Sequence, residues 1–448
     1  MGLPPGPSLH TGLQTLHWMR RPFAFLEENR NTFGDMFTLR LAVLRYPAVI
    51  VSHPDAVKEV FSMTADDGQA GRANAVLKPF LGANSLLLLD GAEHLRQRKM
   101  LLPAFHGDRM GSYGRAMLDL AHEGIDRMPV GRRFAVHGPL QSITLEVILR
   151  TVFGISDGPR FAELAAVMKK ALAIAAWPGL LFSFMQHDLG SLSPWGRYTR
   201  LRQQVGDILR TEIRCGRERG TAGRTDALAM ILDARDESGA PLSEDEVHDE
   251  LVTLLVAGHE TTATALAWAL RWILPDRTLV GRLRDEIASC GGDPAGLAKL
   301  ELLDATVKEV LRLQPILPLV GRILSRPATI AGHELPAGVM VAPALYLVHQ
   351  RPSLYPEPKR FKPERFLSWK PAPWEWLPFG GGLRRCIGAA FALYEMKMVL
   401  GALLPRVDMR LDDDDVQAVR RSVTLAPAGG LPVVVTARRS REASRRAA

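Results

Sequence analysis

Phe379-Gly380-Gly381-Gly382-Leu383-Arg384-Arg385-Cys386-Ile387-Gly388 is the stretch on which the reading of this chain turns. Three consecutive glycines let a backbone approach something large and flat with no side chains in the way. Cys386 stands just ahead of a helical run, whose free amides and dipole favour a thiolate. Arg384 and Arg385 add positive charge beside it, which also suits carboxylates. A lone cysteine in a glycine-rich loop is ordinarily a packed structural residue, but the combined spacing here points to chemistry at the sulfur.

Outward from this loop the pattern is mainly helical. A helix is expected from Ile387 to Leu404, stopped by Pro405, while Arg351–Gly382 reads as irregular and proline-rich. Another helix, over Leu302–Leu313, ends before Pro315 and carries Glu309 and Arg312 on one face, either as an exposed ion pair of small value or as something built in. The clearest element starts at Ser243, which stands in capping-box spacing with Glu246. From there a helical pattern runs without proline to Leu274, about 48 Å at 1.5 Å per residue. Its parts Leu251–Ala257 and Ala263–Ile273 are apolar nearly all round, which predicts burial. Between them lies Ala257-Gly258-His259-Glu260-Thr261-Thr262. Glycine inside a helix costs about 1 kcal/mol relative to alanine, unpaired buried polar groups cost more, and such violations mark functional sites.

Elsewhere, Met36–Leu41 and Ala48–Val51 read as a hairpin around Arg45-Tyr46-Pro47, followed by a short helix over Ala56–Phe61. Residues 93–212 are largely helical, with breaks expected at Pro103, Pro129, Gly131, Gly138, Gly154, Gly158 and Pro178. Ala328–Val341 carries strand-like pieces turning at Gly332 and Gly338, and Val423–Thr436 reads as a hairpin through Gly429 and Gly430.

Length alone would suggest two or three domains for 448 residues, but no linker or repeat interrupts positions 30–430. The chain therefore reads as one large helical domain over residues 36–436 with a smaller strand-containing lobe, an N-terminal extension (1–35) and a basic, disordered tail (437–448). At 47% hydrophobic residues it can bury a large core and a cofactor. The net charge of +8 is partly the tail arginines Arg438, Arg439, Arg441, Arg445 and Arg446. No basic motif of a nucleic-acid binder is present; the remaining cations are a solvated surface or a docking patch for an acidic protein. Three scattered cysteines, Cys215, Cys290 and Cys386, make no disulfide framework. Met1–Pro7 lacks a secretory signature and no apolar run reaches transmembrane length, so a cytoplasmic protein without a transmembrane anchor is expected.

The cysteine segment resembles the haem-binding loop of the cytochrome P-450 superfamily: Phe, two residues, Gly, one residue, Arg, one residue, Cys, one residue, Gly. Phe379, Gly382, Arg384, Cys386 and Gly388 fill every fixed position, and Leu383 stands where many members have proline. Glu309-x-x-Arg312, followed by Pro363-Glu364-Arg365-Phe366, is similar to the family's buried pair and the loop arginine that joins it, which implies a structural role for Glu309, Arg312 and Arg365 in holding the cysteine loop. Ala257-Gly258-His259-Glu260-Thr261 resembles the family's oxygen-activating groove. The resemblance implies that Ala257 and Gly258 shape the groove, that Thr261 hydrogen-bonds dioxygen over the iron, and that Glu260 relays protons. Thr262 and His259 are read as packing or helix-backbone contacts. His94 and Arg98 match the family's His-x-x-x-Arg contact to the haem carboxylates, with Arg322 and Arg384 as further cations.

The resemblance runs from about Met36 to Val435. It implies a cytochrome P-450 fold with haem b (iron protoporphyrin IX) between the long central helix and the cysteine-loop helix, Cys386 being the axial thiolate ligand. The implied reaction puts one atom of dioxygen into an apolar small molecule, guessed as lipid-like or terpenoid, in a monomeric enzyme. Electrons come from a separate ferredoxin or flavodoxin type of donor with its reductase, docking near the cysteine side. Pocket residues are expected from Asn74–Leu89, Ala171–Phe184, Leu254, Ala257, Ile316–Val320 and Thr424–Ala426, with Phe80, Trp177, Phe182 and Phe184 among them. The stretch Trp177–Met185 has a rival reading as a packed or membrane-touching surface. Three other functions compete: a peroxide-driven member of the fold, a non-catalytic haem-thiolate sensor or binding protein, and a cysteine-nucleophile hydrolase. Neither of the first two needs the Glu260–Thr261 pair, and the third accounts for none of the other motifs.

Overall fold

Ser243 opens the helix around which the molecule is built. Its Oγ accepts the Glu246 N–H at 3.2 Å, and the Glu246 carboxylate accepts the Ser243 N–H at 2.7 Å. Glu244 and Asp245 add negative charge at the positive end of the dipole. In the computed structural model, which describes residues 2–105, 109–155 and 158–441, this helix runs Glu244–Ile273.

In chain order the principal helices are α1 (Thr11–Arg20), α2 (Pro22–Phe33), α3 (Pro54–Phe61), α4 (Gly91–Leu101), α5 (Arg109–Asp126) and α6 (His137–Thr151). They continue with α7 (Pro159–Ala175), α8 (Pro194–Arg219), α9 (Glu244–Ile273), α10 (Arg277–Ala288), α11 (Glu301–Leu313) and α12 (Ala389–Arg406). The core forms where α9 packs on α6 and α5 packs on both α6 and α12. Met117, Leu120, Ile143, Val147, Leu266, Leu270, Val399 and Leu403 meet there, all buried. From Thr262 to Leu270 every residue of α9 is buried, as its all-round apolar sequence predicts. Ala257 is exposed and Leu254 and Val256 half-buried, because that part of the helix borders a cavity.

The strands form a smaller part. β1 (Met36–Leu39) and β2 (Ala48–Val51) are the antiparallel hairpin expected from the sequence, with Met36 opposite Val51. They join β3 (Gly68–Gln69), β5 (Arg322–Leu324) and β8 (Met340–Pro343) in the order β1-β2-β8-β5-β3, with β2 and β8 parallel, while β6 (Ala328–Ile330) and β7 (His333–Leu335) pair with each other. Alternate residues of β2 serve two faces. Ala48 and Ile50 pack with Trp18, Phe25 and Leu26 of α1 and α2; Val49 and Val51 pack with Ala56, Val57 and Val60 of α3. The segment read as an N-terminal extension thus supplies, through α1 and α2, the cover of one sheet face.

Three further expectations are corrected. Gly138 does not break a helix; it lies in the first turn of α6, where backbone amides have no intrahelical partner to lose. Pro405 does not stop α12, which continues through it to Arg406. Val423–Thr436 is not a hairpin. The turn through Gly429 and Gly430 exists, with φ of 61° and 70°, but its flanking strands go to different sheets. β11 (Thr424–Pro427) pairs with β10 (Ala418–Arg421), whereas β12 (Pro432–Arg438) pairs with β4 (Arg133–Ala135) and β9 (Val407–Leu411). The start of the tail is ordered: Arg438 donates to the Asp126 and Met128 carbonyls at 2.7 and 2.8 Å, and Arg439 pairs with Asp408 at 2.7 Å. Residues 442–448 of the expected tail lie outside the described residues.

Candidate functional site

The cysteine loop is shaped by its glycines and closed by its own backbone. The Cys386 N–H donates to the Phe379 carbonyl at 2.9 Å, and the Arg385 N–H to the Gly382 carbonyl at 3.1 Å. Gly380 and Gly382 take φ of 65° and 64°, a region that favours glycine. Two of these glycines make close approaches to Phe61, Gly381 to its ring and Gly382 to its backbone. A Cβ on Gly381 would lie 2.5 Å from the Phe61 ring, and one on Gly382 2.0 Å from the Phe61 carbonyl oxygen. Gly382, expected among the cofactor contacts, therefore seats the loop on α3 and does not border the cavity.

That cavity, about 460 Å³, is shared by the cysteine loop and α9. Phe379, Arg384, Cys386 and Gly388 border it with Ala257, Gly258, Glu260 and Thr261, and with His94, Arg98 and Arg322. Cys386 is open to the cavity although protein surrounds it. Burial pushes its thiol up, against the Gly388 N–H and the charges of Arg98 and Arg385. In this structure burial outweighs the helix terminus and arginines that the sequence suggested would favour the thiolate. Deprotonation therefore calls for a bound cation, and metal ligation by cysteine supplies one.

On α9 the Thr261 hydroxyl donates to the Ala257 carbonyl at 2.6 Å. Thr262 does the same to Gly258 at 3.0 Å, and His259 bonds the Leu255 carbonyl through Nδ1 at 2.9 Å, both as read. Gly258 has a second reason besides the groove, since a Cβ there would meet Ile148 of α6 at 2.3 Å. Glu260 is held from three sides. Arg421 Nε donates to it at 3.0 Å, Gln141 Nε2 donates to its other oxygen, and His137 Nε2 lies at 3.8 Å. Burial lowers His137 to about 4, so it is neutral at pH 7, and its Nε2 is 3.1 Å from the Thr264 hydroxyl. Gln141, His137 and Arg421 carry no local signal in the sequence, because they reach Glu260 from α6 and β10.

A cationic cluster occupies another part of the wall. Buried His94 is lowered to about 3, first by burial and then by Arg384, Arg98 and Arg322. Its Nδ1 has no hydrogen-bond partner among the described residues. Arg322 is itself lowered to about 10 by burial and Arg384. Arg384 is turned onto Asp90 at 2.5 Å and the carbonyls of Leu86 and Leu89, instead of reaching freely into the cavity. Arg98 donates to the Arg385 carbonyl at 2.7 Å. Asp90 pairs with Arg384 alone among the described residues, so two further guanidinium groups and an unpartnered imidazole nitrogen remain to be answered by an anion. The two carboxylates of a haem fit that need, and the thiol, the cavity and the apolar wall fit its ring.

Glu309, Arg312 and Arg365 lie away from the cavity, as a buried cluster. Arg312 makes two bonds to the Glu309 carboxylate at 2.7 and 2.8 Å, both side chains being 0% exposed. Arg365 Nε adds a third at 3.0 Å, and the Lys362 N–H a fourth at 2.9 Å. His349, which the sequence did not single out, carries this cluster to the cysteine loop. Its Nδ1–H donates to the Arg312 carbonyl at 3.1 Å, while Nε2 accepts the Leu377 N–H at 2.8 Å, two residues before Phe379. Burial lowers it to about 3, which preserves the acceptor nitrogen.

The expected pocket residues divide. Leu77, Phe80, Leu254, Ile316, Val320 and Thr424 line the cavity, as do Ala171 and Ala175. Trp177, Phe182, Phe184, Leu425 and Ala426 do not; Trp177 and Phe184 are exposed at 45% and 67%. Among the described residues no helix is long and apolar enough to cross a membrane.

Comparison with known proteins gives one answer. The family described as Cytochrome P450 matches residues 4–430, which includes most of the N-terminal segment. "Putative cytochrome P450 135B1" of Mycobacterium tuberculosis is 40% identical over 450 residues, covering 100% of this chain and 94% of that protein. "Putative cytochrome P450 135A1" of the same species is 35% identical over 408 residues, 90% and 88% of the two chains. Among solved structures, the retinoic acid-bound cyanobacterial CYP120A1 superposes with a TM-score of 0.85 at 27% identity, over 97% of this chain and 100% of that one.

Proposed function

The chain belongs to the cytochrome P450 family and is a haem-thiolate monooxygenase with haem b as cofactor; on that premise we propose that it oxidises an apolar, lipid-like or terpenoid molecule, using electrons from a separate iron–sulfur or flavin carrier. The observation that carries the reading is the single cavity in which Cys386, the Glu260–Thr261 pair and the His94–arginine cluster meet an otherwise apolar wall. Haem b, when bound, supplies the activation of dioxygen that places one oxygen atom in the substrate and releases the other as water.

Each residue has a part in this. Cys386 holds the iron, and the loop glycines with His349 keep the sulfur facing the cavity. Arg98, Arg322 and His94 would take the haem carboxylates, with Arg384 beside them on Asp90, and these would supply the counter-charge that Asp90 alone does not. Thr261 holds a proton at Oγ, now directed to the Ala257 carbonyl, and borders the same cavity as Cys386. Glu260 hands protons inward, positioned by Arg421 and Gln141. Leu254, Leu172 and Val256 exclude water and favour an apolar substrate. The retinoic acid held by the cyanobacterial relative belongs to that class of molecule. Exposed Arg385, beside Cys386, suits an acidic electron carrier on the cysteine side.

The test is the absorption spectrum of the reduced protein under carbon monoxide. A strongly red-shifted Soret band is expected, and Cys386→Ser should lose it. An ordinary haem–CO band in the unaltered protein, or no haem after expression with ample supply, would overturn the reading.

A further inference from the structure

Among the described residues six arginines border the cavity, and five already have a setting. Arg98, Arg322 and Arg384 gather around His94, Arg385 flanks Cys386, and Arg421 pairs with Glu260. Arg202 is the sixth. It lies on α8, half-buried, and forms no ion pair among the described residues. Its one hydrogen bond among them runs from Nε to the Phe80 carbonyl at 3.3 Å, so both terminal nitrogens are left over.

Tyr198 stands one turn earlier on the same helix face and also borders the cavity. It is 5% exposed, and its hydroxyl makes no hydrogen bond among the described residues. Burial raises it to about 12 in spite of the Arg202 charge beside it, so the hydroxyl is a donor throughout the physiological range. The acid on the neighbouring wall is no partner for either group. Glu250 accepts the Leu86 N–H at 2.5 Å, and burial pushes it up to about 8, which leaves it neutral at pH 7. Around the pair the wall is apolar, with Leu77, Phe80, Leu172 and Ala175. Glu260, the other acid on the cavity wall, is taken by Arg421, so the guanidinium group and the phenol border the cavity with no carboxylate paired to them among the described residues, as a site lacking its anion would.

We infer that Arg202 and Tyr198 anchor a carboxylate, and that the substrate is an amphipathic monocarboxylic acid whose apolar body crosses the cavity towards Thr261 and Cys386. The two terminal nitrogens of Arg202 form a fork that suits the two oxygens of a carboxylate, and the Tyr198 hydroxyl adds a third donor. With the acid end held at α8 and the sulfur on the cysteine loop, oxidation is expected on carbons remote from the carboxyl group. The place of oxidation rests on the monooxygenase reading above; the binding preference does not.

The experiment is isothermal titration calorimetry of the ferric holoprotein with dodecanoate and with 1-dodecanol at pH 7.5. The two probes share a chain and differ at the end group. The acid should bind roughly tenfold tighter, as expected for charge-assisted hydrogen bonds to a half-buried guanidinium group and a buried phenol. Arg202→Gln should erase the preference while leaving the alcohol's affinity unchanged, and Tyr198→Phe should reduce it a few-fold. Equal affinities in the unaltered protein, no binding of dodecanoate, or an Arg202→Gln variant that loses both probes equally would each overturn the inference. The two-probe comparison on the unaltered protein decides even if a variant does not fold. Carbon monoxide spectra of the same samples separate the two claims, since an ordinary band with an intact acid preference would sink the monooxygenase reading alone.

Discussion

Replacing Glu309 by Gln tests how the cysteine loop is held. Glu309 Oε2 accepts from Arg312 Nε, while Oε1 accepts from Arg312 Nη2, Arg365 Nε and the Lys362 N–H, at 2.7 to 3.0 Å. Each bond to a charged group contributes about 1.5–3 kcal/mol net. They share one carboxylate and do not add, and the amide turns an N–H₂ towards at least one donor. The larger effect is electrostatic: Arg312, with its side chain 0% exposed, keeps its charge and loses its counter-ion. Breaking one partner of a buried pair costs about 3–5 kcal/mol. Against a net stability of about 5–15 kcal/mol this is a large fraction. The assay is the guanidinium midpoint of the holoprotein, read together with the fraction showing the red-shifted carbon monoxide band. Both should fall, because the Arg312 carbonyl receives His349, which in turn receives the Leu377 N–H. Glu301→Gln, exposed at the start of the same helix, should cost less than about 1 kcal/mol. A Glu309→Gln protein within about 0.5 kcal/mol of the parent, with a full thiolate band, would refute the reasoning.

Thr261→Ala should cost about 1 kcal/mol or less in stability, since its hydroxyl bonds only within α9. It should keep its carbon monoxide band, yet release several-fold more hydrogen peroxide per electron pair consumed; unchanged coupling would remove the role given to Thr261. Glu250 gives a pH test. Its folded value is raised to about 8 from an ordinary 4.5, so it is protonated in both states below about 4.5. Between 4.5 and 8 unfolding releases a proton, and the stability present at low pH is lost as pH rises through that window. Glu250→Gln should therefore gain on the parent with rising pH, by up to about 1.4 kcal/mol per unit. Parallel stability profiles for the two proteins would show that Glu250 is not the buried acid described.

The parts of this molecule that were legible in the sequence are those whose cause is local. The capping box at Ser243, the glycines and cysteine of residues 379–388, and the Glu309–Arg312 spacing state their own geometry within a few residues. What could not be read depends on distant partners. Val433 finds Phe134 and Leu411 in register, pairings that no turn signal near Gly430 specifies. Trp18 and Leu26 look like residues of a loose leader until Ile50 gives them a sheet face to cover. The side chains around Glu260 come from residues 119 and 161 positions away. Arg384 shows a different limit: its motif position gave its neighbourhood, but Asp90, far off in sequence, sets where it points.

His349 uses both ring nitrogens as spacers between α11 and the segment leading to Cys386, and neither it nor Glu309, Arg312 or Arg365 borders the cavity. This buried support and the apolar lining are therefore different sets of residues. Leu77, Ala175 and Val423 border the cavity and take no part in the hydrogen bonds that hold the cysteine loop. A scaffold divided in this way can change what it accepts one wall residue at a time, while the chemistry at its centre is inherited unchanged.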